Sequence, residues 1–223
     1  MREGTVWQGG NGSTLILRPD RSAFMPSEGA LLVADVHLGK AGHFRRNGMA
    51  VPRGVNAATL DRLSKALRDT GARTLVVLGD LFHSERNAEW EGFIRWREAT
   101  PLDRAVLVQG NHDVLAPSDW QAAGLEVTAR WDAGGLTCTH EPEDWREGFG
   151  VHACGHVHPG VRLQGAGRQA LTAACWWHAA PNSPREQLVF PAFGGFTGNH
   201  RIEPEAKDVV YIPAGQNVIR KGG

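Results

Sequence analysis

Short apolar runs that stop abruptly at polar residues recur along this chain. The runs at 30–34, 74–78, 105–108, 136–139 and 151–154 are each four or five residues long and apolar or short of charge, the pattern of strands buried on both faces. They end at Asp35, at Gly79-Asp80, at Gln109-Gly110-Asn111-His112-Asp113, at His140 and at Gly155-His156-Val157-His158. Between the first two, residues 56–69 carry Leu60, Leu63 and Leu67 at i, i+3 and i+7, which predicts an amphipathic helix. Residues 90–98, with Phe93, Ile94 and Trp96, predict a second. The steps from Asp35 to Asp80 and from Asp80 to Asn111 are long enough for strand–helix–strand units, which need about 30 residues. The step from His140 to His156 is too short for one. Past His158, the segments 171–177, 188–190, 209–212 and 218–219 read as strands and turns, a second sheet completing a sandwich. Five strands thus deliver Asp, Asn or His at their carboxyl ends, the edge where α/β sheets bind ligands.

No repeat, low-complexity block or linker divides the chain, so residues 1–223 read as a single domain. With 223 residues it is long enough to bury a core without disulfides or structural metals. Its 28 glycines are well above the ~7% average and predict many tight turns and close backbone approaches. No apolar run approaches the ~20 residues of a membrane span, and residues 1–8 hold no stretch of signal-peptide length. The three cysteines are odd in number and form no CxxC, as expected of buried thiols in a cytoplasmic protein. A net charge of zero excludes a histone-like or tail-driven nucleic-acid binder, but not a local basic site.

The strand-end residues are the chemistry. Asp35, His37, Asp80, Asn111, His140, His156 and His158 supply two carboxylates, one amide and four imidazoles. A mixed oxygen and nitrogen set suits manganese, iron, zinc or cobalt better than magnesium or calcium. Seven donors exceed one ion's needs and fit two ions sharing a carboxylate, the arrangement that clamps both the attacking and leaving oxygens of a phosphoryl centre. In an extended strand Asp35 and His37 would point to one side, as would His156 and His158. Gly79, Gly110 and Gly155 each precede a candidate ligand and would let the backbone turn sharply off the strand end.

Asp35-Val36-His37, Gly79-Asp80, Gly110-Asn111-His112-Asp113, His140 and Gly155-His156-Val157-His158 together resemble the complete motif set of the calcineurin-like binuclear metallophosphoesterases. The flanks, Leu38-Gly39-Lys40, Phe44-Arg45, Pro52, Leu81-Phe82-His83-Ser84 and the late 191–198, resemble the DNA-ligase-associated branch, which is similar to DNA damage-response endonucleases. The resemblance implies an α/β fold, a four-layer α/β/β/α sandwich of two mixed β-sheets. It implies two divalent ions, manganese foremost. One would be held by Asp35, His37, Asp80 and His158, the other by Asp80, Asn111, His140 and His156. By the same resemblance His112 would face the substrate and protonate the leaving oxygen or stabilise charge there, Asp113 would orient its ring, and His83 would reach the scissile phosphate or its leaving group.

From Val36 to Arg53 the chain holds Lys40, Arg45, Arg46 and Arg53 and no acid. A basic loop beside the ions would hold flanking phosphates, with Phe44 stacking on a base. Without a groove-reading helix or finger, single-stranded DNA is favoured over duplex and sequence specificity is not expected. The resulting expectation is a metal-dependent phosphodiesterase, an endonuclease on single-stranded DNA in repair, with a ligase and a helicase of the same pathway as partners and no membrane association. A hydrolase of small nucleotide-type phosphoesters or pyrophosphates is the alternative on the same metal core. A non-catalytic scaffold is disfavoured by the complete ligand set.

Overall fold

The expected buried strands use both of their faces. In β4 (Ala30–Val33), β5 (Thr74–Leu78) and β6 (Arg104–Val108), alternate side chains enter two different cores. Ala30, Leu32, Val76, Leu78, Val106 and Val108 face inward to a second sheet. Leu31, Val33, Leu75, Val77, Ala105 and Leu107 face outward to helices. The period-two geometry of a strand sends each residue to one side or the other. The computed structural model of the chain describes residues 4–40, 54–83, 85–148, 150–165 and 169–222.

The first sheet has seven strands in sequential order: β1 (Thr5–Gln8), β2 (Thr14–Leu17), β3 (Ala23–Met25), β4, β5, β6 and β7 (Glu126–Thr128). Pairings are antiparallel as far as β4 and parallel from β4 to β7. The second sheet runs β17 (Asn217–Gly222), β16 (Val209–Ala214), β13 (Trp176–Ala179), β14 (Gln187–Val189), β10 (Val151–Cys154), β9 (Leu136–Cys138) and β8 (Trp131–Ala133). It too is mixed, with β10 parallel to both β9 and β14. The two sheets pack face to face around Trp7, Leu15, Trp176, Phe190 and their neighbours.

Three α-helices are present among the described residues: α1 (Val55–Thr70), α2 (Ala88–Ala99) and α3 (Pro117–Ala122). Helix α1 buries Leu60, Leu63, Ala66 and Leu67 on the first sheet and ends at Gly71, whose φ of 66° caps its last carbonyls. Helix α2 starts at Asn87, whose side chain accepts from Glu89 N and Trp90 N. On the outer side of the second sheet, the cover is a three-stranded sheet, β12 (Ala170–Ala174), β11 (Pro159–Gln164) and β15 (His200–Arg201). Val161 and Ile202 of this cover pack on Val210 and Ile212 of β16. The segment expected as one strand at 171–177 divides at Cys175, because β12 belongs to this cover and β13 to the main sheet.

Two histidines outside the strand-end motifs are core groups. Trp7 Nε1 donates to His178 Nδ1 (3.2 Å), leaving His178 Nε2 to donate to Glu186 (2.7 Å). Both residues are buried and tie β1 to the second sheet. His152, fully buried on β10, contacts Thr139 Oγ1 (2.7 Å) and Gln187 Nε2 (3.1 Å). Trp176 is likewise core, and Trp177 donates to Asp208 (2.9 Å). No helix among the described residues is long and apolar enough to cross a membrane.

Candidate metal centre

All seven candidate ligands lie at one edge, where the parallel strands of both sheets end. The loops after β4 and β5 are zipped together by backbone hydrogen bonds: Asp35 N to Gly79 O (3.2 Å), His37 N to Asp80 O (2.8 Å), Leu38 N to Leu81 O (2.9 Å) and His83 N to Leu38 O (2.8 Å). The extended conformation expected for Asp35-x-His37 and His156-x-His158 is not what aligns them. Asp35, His37, Asp80, His156 and His158 all adopt the left-handed region, with φ between 49° and 66°. Each such residue costs about 1–2 kcal/mol unless its surroundings enforce it. Five of seven candidate ligands therefore hold strained backbone, with buried Val36 and Leu38 anchoring the first loop in the outer core.

A third segment supports the first loop from the other sheet. Phe193 N donates to Ala34 O (2.8 Å) and Gly194 N to Asp35 O (3.0 Å). Phe193 and Gly194 thus form a seam between the sheets, and the chain turns at Gly195-Phe196 just past it. Arg62 from α1 hydrogen-bonds Phe193 O and stacks over the Phe193 ring.

The donor atoms converge in two groups. His158 Nε2 lies 3.3 Å from Asp35 Oδ1 and 3.2 Å from His37 Nε2, which is 3.7 Å from Asp80 Oδ2. His140 Nε2 lies 3.5 Å from Asp80 Oδ1, 3.1 Å from Asn111 Oδ1 and 3.2 Å from His156 Nδ1. The four atoms around one cation at about 2.0–2.2 Å would be separated by about 3.0–3.5 Å, so these spacings fit the edges of a coordination polyhedron. The proton positions agree. His140 Nδ1 donates to Leu78 O (3.1 Å) and His158 Nδ1 to Gly198 O (3.2 Å), which turns a lone pair of each Nε2 into the centre. Those backbone acceptors carry no sequence signal. Burial, reinforced by Lys40 and the neighbouring imidazoles, pushes His37 down to about 2 and keeps its lone pair available. The groups Asp35-His37-His158 and Asp35-Asp80-His140 each offer donors within 4.8 Å of one another. The residues present fit divalent transition-metal ions.

The three glycines act chiefly by what they leave out. A Cβ on Gly79 would overlap the His140 ring. One on Gly110 would meet Asp80 N at 2.5 Å, and one on Gly155 would meet Asp35 Oδ2 at 2.6 Å. Of the three, only Gly79 has a positive φ, 78°. The sharp turn expected at all three is required at one, and close approach of a candidate ligand at every one.

His112 stands partly exposed beside this cluster. Its backbone N donates to Asp80 Oδ1 (2.9 Å), and its ring lies 3.9 Å from that of His83 and 5.7 Å from that of His37. His83 is thereby brought into the site. Asp113 is placed differently from its expected role of orienting the His112 ring. Its carboxylate accepts four backbone N–H groups, from Asp80 (2.8 Å), Leu81 (2.9 Å), Phe82 (3.2 Å) and Gly110 (2.9 Å). Burial pushes its carboxyl up to about 6 against the pull of those donors. Asp113 is a clamp joining the β5 and β6 loops, a use of Asp that a turn-rich Gly-Asn-His-Asp run permits. Lys40 is half-buried, its ammonium pushed down by burial and pulled back up by Asp80 and Asp35. Phe44, Arg45, Arg46 and Arg53 lie outside the described residues.

Comparisons with known proteins bear on this geometry. A sequence search of curated proteins finds no match. Among solved structures, the nuclease MPE of Pseudomonas putida is 30% identical, with a TM-score of 0.77 over 94% of this chain and 96% of that one. The phosphoesterase Yfce of E. coli is 18% identical, with a TM-score of 0.42 over 86% of this chain and 98% of that one. The family model of the calcineurin-like phosphoesterases matches residues 30–160, from the start of β4 to just past the last candidate ligand. The chain belongs to the calcineurin-like phosphoesterases, as a metal-dependent hydrolase of phosphate esters.

Proposed function

We propose that this chain is a binuclear-metal phosphodiesterase that cleaves DNA internally, preferring single strands, in DNA repair. The observation that carries the reading is near full-length likeness to a nuclease, at 30% identity and a TM-score of 0.77. In this reading one ion, manganese foremost, is held by Asp35, His37, Asp80 and His158. The second is held by Asp80, Asn111, His140 and His156, with Asp80 shared. Bound ions of this kind supply an acidified water as nucleophile and neutralise phosphoryl charge.

The protein's own groups do the rest. The candidate ligands are fixed by clamped loops before substrate arrives, so little reorganisation accompanies the reaction. His112, partly exposed and with its ring against that of His83, is the proton donor to the departing sugar oxygen. His83 supports that ring and faces the leaving group. Asp113 holds the loops that carry Asp80 and Asn111. Lys40 supplies positive charge beside the carboxylates, with Phe44, Arg45 and Arg46 continuing the contact with DNA. The protein works in the cytoplasm with a ligase and a helicase of the same pathway.

The test is purified protein with Mn²⁺ or with EDTA, given single-stranded DNA, duplex DNA and bis-p-nitrophenyl phosphate. Metal-dependent cleavage of the single strand supports the reading. Hydrolysis of the small ester with no cleavage of any nucleic acid transfers the assignment to small phosphoesters.

A further inference from the structure

Strand β7 ends at the same edge as β4, β5 and β6, because all four are parallel. The first three deliver Asp35, Asp80 and Asn111 just past their ends. The loop after β7 delivers Arg130. It is fixed there by Gln109 N donating to Thr128 O (2.8 Å) and by Thr128 Oγ1 donating to Arg130 O (2.8 Å). Neighbouring strands lie about 4.8 Å apart. Arg130 therefore stands one strand beyond Asn111 on the line of the candidate ligands. A cleft of about 490 Å³ joins them, its lining including Asn111, His140, Gln109, Arg130 and Glu141.

The chemistry of this cleft is anion recognition at Arg130. Arg130 is exposed and pairs with Asp132 (2.7 Å), a surface ion pair of small worth that an incoming anion can replace. The acids on the same cleft are engaged. Glu141 and Asp144 form a reciprocal capping box on the 3-10 helix Pro142–Asp144, which ties both carboxylates to backbone N–H groups. A guanidinium can grip a phosphate with two parallel hydrogen bonds.

We propose that this cleft is a substrate subsite for the nucleotide next to the scissile phosphate, with Arg130 gripping the neighbouring backbone phosphate. It rests on the nuclease reading and deepens it. A strand crossing the metal centre would leave past Asn111 and His140 along the β6–β7 edge. Small diesters would not extend that far.

The experiment compares wild type, Arg130→Ala and Arg130→Lys. It measures binding of a fluorescein-labelled single-stranded oligonucleotide in EDTA, and Mn²⁺-dependent kcat and KM on the same oligonucleotide and on bis-p-nitrophenyl phosphate. Arg130→Ala should weaken binding and raise the oligonucleotide KM about five- to tenfold. The slope of log affinity against log salt should become shallower by about 0.7, the value for one lost single-strand phosphate contact. Arg130→Lys should retain the slope and recover part of the affinity. Unchanged binding and slope in Arg130→Ala, with wild type cleaving DNA, overturns the subsite and leaves the nuclease reading standing. An equal fall on oligonucleotide and small diester also overturns it, since Arg130 would then be supporting the centre itself. Wild type that neither binds nor cleaves any nucleic acid overturns both.

Discussion

The His140 imidazole occupies the space that a side chain on Gly79 would need. Gly79 follows β5 of one sheet, and His140 follows β9 of the other, so this is a contact through which the two sheets meet at the metal centre. Gly79→Ala should force the ring out of register and add left-handed strain at φ 78°. The expected cost is about 2–4 kcal/mol, together with loss of bound metal. Denaturant unfolding and elemental analysis check both. The double variant Gly79→Ala/His140→Ala should regain part of the stability and none of the metal, a coupling that two independent sites would not show.

Asp113 should behave as a structural clamp. Asp113→Ala leaves four backbone N–H groups buried without their acceptor, and stability should fall by about 3 kcal/mol, with metal affinity falling alongside. Unfolding curves matching wild type, with only the pH–rate profile altered, would return Asp113 to a role on the His112 ring.

His112→Ala should lower turnover by roughly 10²–10⁴, the usual worth of a general acid. Metal content should stay at the wild-type level, because the contact His112 makes with Asp80 is through its backbone N, which alanine keeps. Loss of metal in this variant would make His112 a ligand.

Removing metal should destabilise the fold measurably. Five left-handed residues and a cluster of converging lone pairs are held together by the protein alone when the ions are absent. Adding Mn²⁺ at a free concentration about 100-fold above its Kd should raise stability by about 2.7 kcal/mol per site. Thermal unfolding after EDTA treatment, then with Mn²⁺ restored, reads this directly. An unfolding temperature indifferent to Mn²⁺ would argue against a preformed centre.

His152 should make stability pH-dependent away from the centre. Burial pushes its pKa from 6.5 down to about 4, so the folded protein keeps it neutral where the unfolded chain would protonate it. The unfolded state then binds more protons between these values, and stability falls as pH drops from about 6.5 to 4. The contribution is up to about 3 kcal/mol. His152→Gln should flatten this part of the stability–pH curve in urea titrations. An unchanged slope would place the dependence on other groups.

The helices α1 and α2 are legible from the helical spacing of their apolar positions, and the strands β4, β5, β6, β9 and β10 from buried runs that stop at polar residues or glycine. Strands β1, β2, β3, β7 and β8 are three or four residues long, and several leave half their side chains in solvent. None of them runs into a candidate ligand as β4, β5, β6, β9 and β10 do, and tertiary pairing makes them. Arg130 carries no such mark either; its significance comes from the parallel neighbour on which β7 depends.

The sequence by itself determined the donor set at the strand ends, because the chemistry of ligation lies in side-chain type and in where apolar runs stop. It also determined the family. Only the tertiary structure decided how those donors meet. Their alignment comes from left-handed backbone held by loop-to-loop hydrogen bonds. It also depends on glycines kept small by a partner from the other sheet and on an aspartate spent on backbone amides. Each of these joins residues far apart in the chain, and a side chain's role there is set by what surrounds it in space.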